Sequence, residues 1–215
     1  MIEYSRRTND DPSRYHFRTT WRVEGACGEV ADILGDPLRL EVWWPSVYLE
    51  VEEIEPARSE RGVGRRVRLL TKGWLPYTLR WELVVVESNY PHGFTIAATG
   101  DLEGTGVWTF EQDGGDVHIT YDWRIRAEKP LLRKLSVLLR PLFEANHRWA
   151  MAEGEQSLRL ELARRRATSD AERQAIPAPP GPTTLAGAAL AGAAAAGVIG
   201  VVYLVYRSRR RSRSG

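Results

Sequence analysis

Four residues are of the types that move protons, His147, Asp122, Asp101 and Tyr121. A general acid or base needs a position within hydrogen-bond reach of its substrate, so each is weighed by its surroundings. His147 falls off the main apolar stripe of a helical pattern, beside Arg148, where a surface or rim histidine belongs. Asp122 lies on the polar side of an alternating stretch, and Asp101 sits in Gly100-Asp101…Gly104, where an aspartate serves the backbone of a turn. His147 and Asp122 remain as weak catalytic candidates. No Ser–His–Asp order, HExxH, phosphate loop or glycine fingerprint stands in a suitable context. The histidines at 16, 92, 118 and 147 lack carboxylates at ligand spacing, so no metal is expected, and nothing points to a cofactor. Cys27, the single cysteine, can form no disulfide within the chain and suits a small buried position.

The larger chemical signal is aromatic. Of eight tryptophans, Trp21, Trp81, Trp108 and Trp123, with Tyr121, fall on the apolar sides of strand-like runs, and Trp149 lies on a helical stripe near Asn146, Glu153 and Gln156. Walls of this kind suit a flat or greasy molecule, and the amide and carboxyl groups would orient its carbonyl or hydroxyl. The candidate ligand-binding set is therefore Trp21, Trp81, Trp108, Tyr121, Trp123, Asn146, Trp149 and Glu153. Core packing also explains each tryptophan taken singly, and the polar residues equally fit the watery border of the stripe.

The elements that must position these residues can be read in order. Residues 1–14 form a polar, flexible leader. Tyr15 to Glu24 alternates with period two and predicts a half-buried strand. Gly25 to Leu34 and Leu38 to Trp43 predict two short helices, with Gly35-Asp36-Pro37 between them. Six more strands are predicted over Tyr48–Glu55, Gly64–Thr71, Thr78–Glu87, Phe94–Thr99, Gly106–Gln112 and Val117–Ala127, with turns that include Glu103-Gly104 and Asp113-Gly114-Gly115. Links this short imply an antiparallel meander. From Pro130 to Arg166 apolar residues recur at steps of three and four (Leu135, Leu138, Leu142, Ala145, Trp149, Ala152), predicting one long amphipathic helix that Pro141 kinks or breaks. A seven-stranded antiparallel sheet with one apolar face needs cover, and that helix supplies it, giving an α+β fold.

This order resembles the helix-grip fold of the START-like (SRPBCC, polyketide cyclase/dehydrase) superfamily, in which a curved sheet wraps a carboxy-terminal helix. The stretch DPLRLEVWWPSV is similar to that superfamily's Asp-Pro…Trp-Trp-Pro segment, and WLPYTLRWE, GDLEGTGVWTF and NHRWAMAEGEQSL resemble a bacterial branch of it. The domain is placed at 15–166, and the likeness covers residues 14–166. It implies a pocket between sheet and helix for a hydrophobic small molecule such as a lipid, quinone or polyketide, and, as an alternative, an aromatase/cyclase of the same fold. A ligand-free interaction scaffold is the third reading.

Beyond Arg166 the composition changes. Residues 167–184 are rich in Pro and Ala and predict an extended linker. Leu185 to Tyr206 holds 22 residues without a charge, the length of one membrane span, and 207–215 is an arginine-rich tail. The tail distorts the formal net charge of +2, because removing its five arginines from the 30 basic residues leaves 25 against 28 acidic, a net of −3. A mildly acidic domain gives no case for nucleic acid as partner. The arginines favour a cytoplasmic carboxy-terminus, yet no secretory signal precedes the domain, so a single-pass, tail-anchored arrangement with a cytoplasmic domain is expected. Small residues four apart in the span would permit a weak homodimer.

Overall fold

A computed structural model gives the architecture and describes residues 2–3, 14–75, 77–127 and 130–183. The elements run β1 (Ile2–Glu3), β2 (Arg14–Glu24), α1 (Cys27–Leu34), a 3-10 turn (Pro37–Arg39) leading into α2 (Leu40–Trp43), then β3 (Tyr48–Glu55), β4 (Arg66–Lys72), β5 (Thr78–Ser88), β6 (Gly93–Gly100), β7 (Leu102–Asp113) and β8 (Asp116–Ala127). The long α3 (Pro130–Arg166) and the short α4 (Asp170–Ala175) follow. Every strand pairs antiparallel with its neighbours in the order β1-β2-β8-β7-β6-β5-β4-β3. The antiparallel meander of six strands, β3 to β8, is as expected, and β2 crosses over to join β8 as the seventh.

Register puts the aromatic residues on one face. Tyr15 pairs with Ile125, Phe17 with Trp123, Thr19 with Tyr121 and Trp21 with Ile119, all of them buried. Because side chains alternate across a strand, the intervening His16, Arg18, Asp122 and Arg124 face the other way. On β7, Trp108 lies opposite Tyr121 and Gly106 opposite Trp123. A Cβ on Gly106 would come within 2.7 Å of the Tyr121 hydroxyl and 2.8 Å of the Trp123 ring, so the missing side chain lets both rings lie flat on the sheet.

The far end of α3 is clamped to the rest. Arg166 forks onto Glu29 of α1 at 2.7 and 2.8 Å and donates to the Glu24 carbonyl at 3.1 Å. Its hydrogen bond holds the Glu29 carboxyl below its usual range. Leu158 and Leu162 are buried beneath it. Gly154 lets the helix rest on Trp44, since a Cβ there would overlap the indole.

Several expectations are corrected. The leader is not wholly unpaired: Ile2 and Glu3 pair with Thr19 and Arg18 and give the sheet an eighth, two-residue strand. Alternation in so short a piece carries no signal. Pro141 does not break α3, which runs through it. The chain reverses at Asp101, not at Glu103-Gly104, because the Asp101 carboxylate accepts from the Arg80 amide at 2.9 Å and its own N–H bonds the Arg80 carbonyl. The linker is not extended throughout: Ser169 and Glu172 form a reciprocal capping box that starts α4. The span 185–206, the arginine tail and the homodimer contact lie outside the described residues, and no described helix is long and apolar enough to cross a membrane.

Candidate functional site

The concave face of the sheet and α3 do not close completely. Between them lies a cavity of about 160 Å³. Its walls come from Tyr15 and Phe17 of β2, Trp44 after α2, Tyr48, Thr71 and Lys72 on β3 and β4, Tyr77 and Trp81 around β5, and Trp108, Tyr121 and Trp123 of β7 and β8. Helix α3 contributes Phe143, Asn146, His147, Ala150 and Met151.

The aromatic rings form a connected wall. Tyr121 stacks on Trp108 at 4.0 Å and 15°, and on Trp123 at 5.5 Å; Trp123 meets Trp81 at 5.9 Å. Opposite, His147 stacks on Phe17 at 4.0 Å, while Phe143 meets Tyr15 and Tyr77 edge-on at 6.2 Å. Such contacts fix ring orientation as well as burying area. Trp81 spends its N–H on the Thr71 hydroxyl at 3.0 Å, so that tryptophan is a satisfied wall element.

Three other lining residues are not satisfied within the protein. The Tyr15 hydroxyl, Trp44 Nε1 and His147 Nε2 are sealed from solvent without a hydrogen-bond partner among the described residues. Buried polar groups nearly always have partners, so three without one among the residues of a single lining stand out. Desolvation sets their protonation. It presses the His147 imidazole down to about 3, with Arg148 adding repulsion. Burial pushes the Tyr15 phenol up to about 12, against the pull of Arg140, and raises Tyr48, Tyr77 and Tyr121 as well. At neutral pH every one of these groups is uncharged.

The structure gathers five of the eight expected ligand residues, Trp81, Trp108, Tyr121, Trp123 and Asn146, into the lining. Trp21 is buried beside them, 5.4 Å from Trp108 and 5.8 Å from Trp44, but packs behind the wall. Trp149 and Glu153 lie outside the lining; burial alone raises the Glu153 carboxyl. The rim position expected for His147 is corrected, since the ring points inward onto Phe17. Asp122 is on the opposite face of the sheet, bonded to His16 at 2.9 Å and to Arg124 at 2.8 Å. Burial would raise that carboxyl, but the His16 and Arg124 hydrogen bonds outweigh it and hold it low. His147 and Asp122 therefore form no catalytic pair. Among the described residues no cluster of potential metal ligands occurs.

Asn146 has a structural task at the rim. Its Oδ1 accepts from the Leu75 amide at 3.3 Å, and its side chain lies over Gly73, where a Cβ would clash with it. It pins the β4–β5 hairpin to α3. Asn146→Ala is expected to cost about 1–2 kcal/mol by orphaning the Leu75 N–H. Amide hydrogen exchange should quicken at Leu75 while the Trp81 amide, inside the ladder, stays protected.

Comparison with known proteins follows the same outline. No curated protein matches the chain. Among solved structures, the Zhui aromatase/cyclase from Streptomyces sp. R1128 superposes with a TM-score of 0.56 at 17% identity, covering 73% of this chain and 98% of that one. TTHA0849 from Thermus thermophilus gives 0.54 at 17% identity, over 67% and 97%. The protein Ms6760 from Mycobacterium smegmatis gives 0.50 at 16%, over 75% and 96%. These likenesses carry the fold. The family model described as polyketide cyclase / dehydrase and lipid transport matches residues 14–162, from the first residue of β2 to the buried Leu162 of α3. The chain belongs to the polyketide cyclase / dehydrase and lipid transport family.

Proposed function

We propose that the domain binds a flat, oxygen-bearing aromatic or similarly hydrophobic small molecule between its sheet and α3. The observation that carries this reading is the coincidence of aromatic walls with three sealed, unpaired polar atoms, on Tyr15, Trp44 and His147. Trp44 Nε1 can only donate, the Tyr15 hydroxyl donates or accepts, and His147 Nε2 does either according to its tautomer. Carbonyl and hydroxyl oxygens on one ring system answer all three. A cavity of about 150 Å³ holds a benzene ring, so the resting space of about 160 Å³ takes one ring. A larger guest displaces Met151, whose unbranched chain repacks readily, or Phe143.

An aromatase/cyclase that folds a reactive chain against the same walls is the second reading, and the free His147 nitrogen favours it. It requires turnover, and a poly-ketone probe released unchanged would sink it. A scaffold with a filled core fits the aromatic cavity less well.

The binding reading predicts saturable quenching of tryptophan emission and a raised Tm when the full chain is titrated with phenol, 1-naphthol and larger quinones. Ala150→Phe, which fills the cavity, should weaken 1-naphthol about tenfold or more, a loss of about 1.4 kcal/mol at least. Ala152→Phe, on the exposed side of α3, should leave it unchanged. Absence of saturable quenching by any member of the series, or equal behaviour of the two variants, would reject the proposal.

A further inference from the structure

The chain beyond α3 doubles back to the cavity's rim. Arg164 donates to the Pro177 carbonyl, and Lys72 Nζ donates to the Thr183 carbonyl at 3.1 Å. Ile176, Pro179, Pro180 and Thr183 are half-buried, so this proline-rich strap lies on the domain instead of standing away from it. Among the described residues Lys72 is the charged member of the cavity lining, His147 being neutral. The strap thus brings Thr183 beside the opening, and the sequence continues from there into the 22 uncharged residues 185–206 and the five arginines that follow.

Two further features converge on that rim. The hairpin that pairs with Asn146 reads Lys72-Gly73-Trp74-Leu75-Pro76-Tyr77, with Trp74 half-buried and Tyr77 in the lining. Tryptophan and tyrosine beside a lysine are the side chains that settle at a headgroup boundary. Helix α3, before it reaches the cavity at Phe143, runs through residues 130–142, whose sequence holds Arg133, Lys134 and six leucines, while Arg140 pairs with Glu144 at 3.1 Å. That is the composition of a helix lying at an anionic lipid surface. Arg65, Arg66 and Arg68, farther along the sheet, are paired to Glu53, Glu55, Glu52 and Glu82.

We propose that the cavity's mouth is held against an anionic phospholipid bilayer, so that the guest is exchanged with lipid and not with water. The identity of a guest rests on the binding reading above; the apposition does not. The strap sets the orientation. A free linker would let the domain tumble at the end of its tether, whereas one hydrogen-bonded to Lys72 at its last described residue brings an inserted 185–206 down at the mouth. The turn Asp113–Asp116, at the other end of β8, then faces away.

The test uses the full chain with a polarity-sensitive fluorophore at Trp74→Cys or, at the far turn, Gly115→Cys, added to phosphatidylcholine vesicles with and without phosphatidylglycerol. The expected result is a blue shift and quenching by nitroxide lipid at residue 74 with anionic vesicles, and neither at residue 115. In the unsubstituted chain, hydrogen exchange over 72–77 should slow on adding the same vesicles, which guards against a disturbed Trp74→Cys fold. A Gly/Ser spacer of about twenty residues after Thr183 should slow uptake of 1-naphthol preloaded in vesicles about tenfold, with its affinity in solution unchanged. Residue 74 unshifted in a chain that floats with the vesicles overturns the proposal, as do equal shifts at both sites or failure to float. Loss of 1-naphthol binding in solution removes the ligand reading and leaves the shift at residue 74 standing. Binding without that shift removes only the apposition.

Discussion

A Gly154→Val chain is expected to be less stable than the native one by about 3 kcal/mol or more, with a lower Tm and weakened ligand binding. On propensity alone a side chain at a helical glycine is favourable, Gly→Ala gaining about 1 kcal/mol. Here the gain is overruled by space. A Cβ at residue 154 would stand 2.5 and 2.6 Å from two atoms of the Trp44 indole and closer still to a third, where ordinary contact begins near 3.5 Å. The indole is 3% exposed and held by Trp43, Tyr48 and Trp21 at 5.3 to 5.8 Å, so the cavity is its one outlet. Either α3 lifts or Trp44 is driven into the cavity it lines. Gly154→Ala should therefore destabilise too, by about 1–2 kcal/mol despite its better propensity. Gly181, with nothing within 4 Å, is the control, and its alanine variant should unfold with the native chain. Urea denaturation of the three variants checks the order; an alanine at 154 that stabilises would refute the packing of α3 on Trp44.

How much of the site is legible in the sequence depends on periodicity. Alternation at Tyr15, Phe17 and Trp21, and again at Tyr121 and Trp123, fixes which side of each strand meets the helix, because a one-residue slip would turn every aromatic outward. That logic finds Trp81, Trp108, Tyr121 and Trp123 in the cavity wall. The same alternation carries Tyr15 and Phe17, wall residues absent from the expected set, on the side of Trp21. Parity assigns a face but not a depth. Trp21 lies farther along β2, opposite Ile119, and packs against Trp44 behind the space that Phe17 and Trp123 border.

Helix α3 is harder to read, because a helix touching a curved sheet buries different arcs at its two ends. His147 lies off the Leu142-Ala145-Trp149 stripe yet faces the cavity, since near the rim the partner surface is Phe17 of β2. Farther along, Ser157, Leu158, Glu161 and Leu162 are the buried set. Glu161, a charge at 4% exposure, stays there by pairing with Arg164 at 3.5 Å and Arg165 at 3.1 Å. Neither the turning of the buried face nor Gly154's fit against Trp44 leaves a mark in helical spacing. The return of the strap to Lys72 has no sequence signal at all, as a lysine bonded to a backbone carbonyl looks like any other lysine.

His147 should make the domain acid-sensitive in a window set by one ring. Folded, its imidazole resists protonation down to about 3 because burial strips water from the charged form and Arg148 repels it. Unfolded, it accepts a proton near the ordinary 6.5. Between those values the unfolded chain holds one more proton, so stability falls as pH falls, by up to about 1.4 kcal/mol per pH unit from this residue. Above 6.5 both states are neutral and the contribution is flat. Asp122 and Glu29, with lowered carboxyls, lose stability in the same direction but only where carboxylates titrate. His147→Phe keeps a ring against Phe17, removes the unpaired Nε2 and cannot titrate. Its stability should be nearly independent of pH from 8 down to the start of carboxylate titration, while the native chain declines from about 6.5. From pH 8 to pH 5 the difference between the two chains is expected to move by about 2 kcal/mol in the variant's favour. Guest binding separates the two roles of the nitrogen. A phenol donating to Nε2 should lose affinity in His147→Phe by about tenfold at pH 7.5, and an unsubstituted aromatic of equal size should not. Parallel urea titrations at pH 8, 6.5 and 5 read the first effect, and tryptophan quenching by the two ligands reads the second; parallel stability curves for native and variant chains would mean that the ring is reached by water.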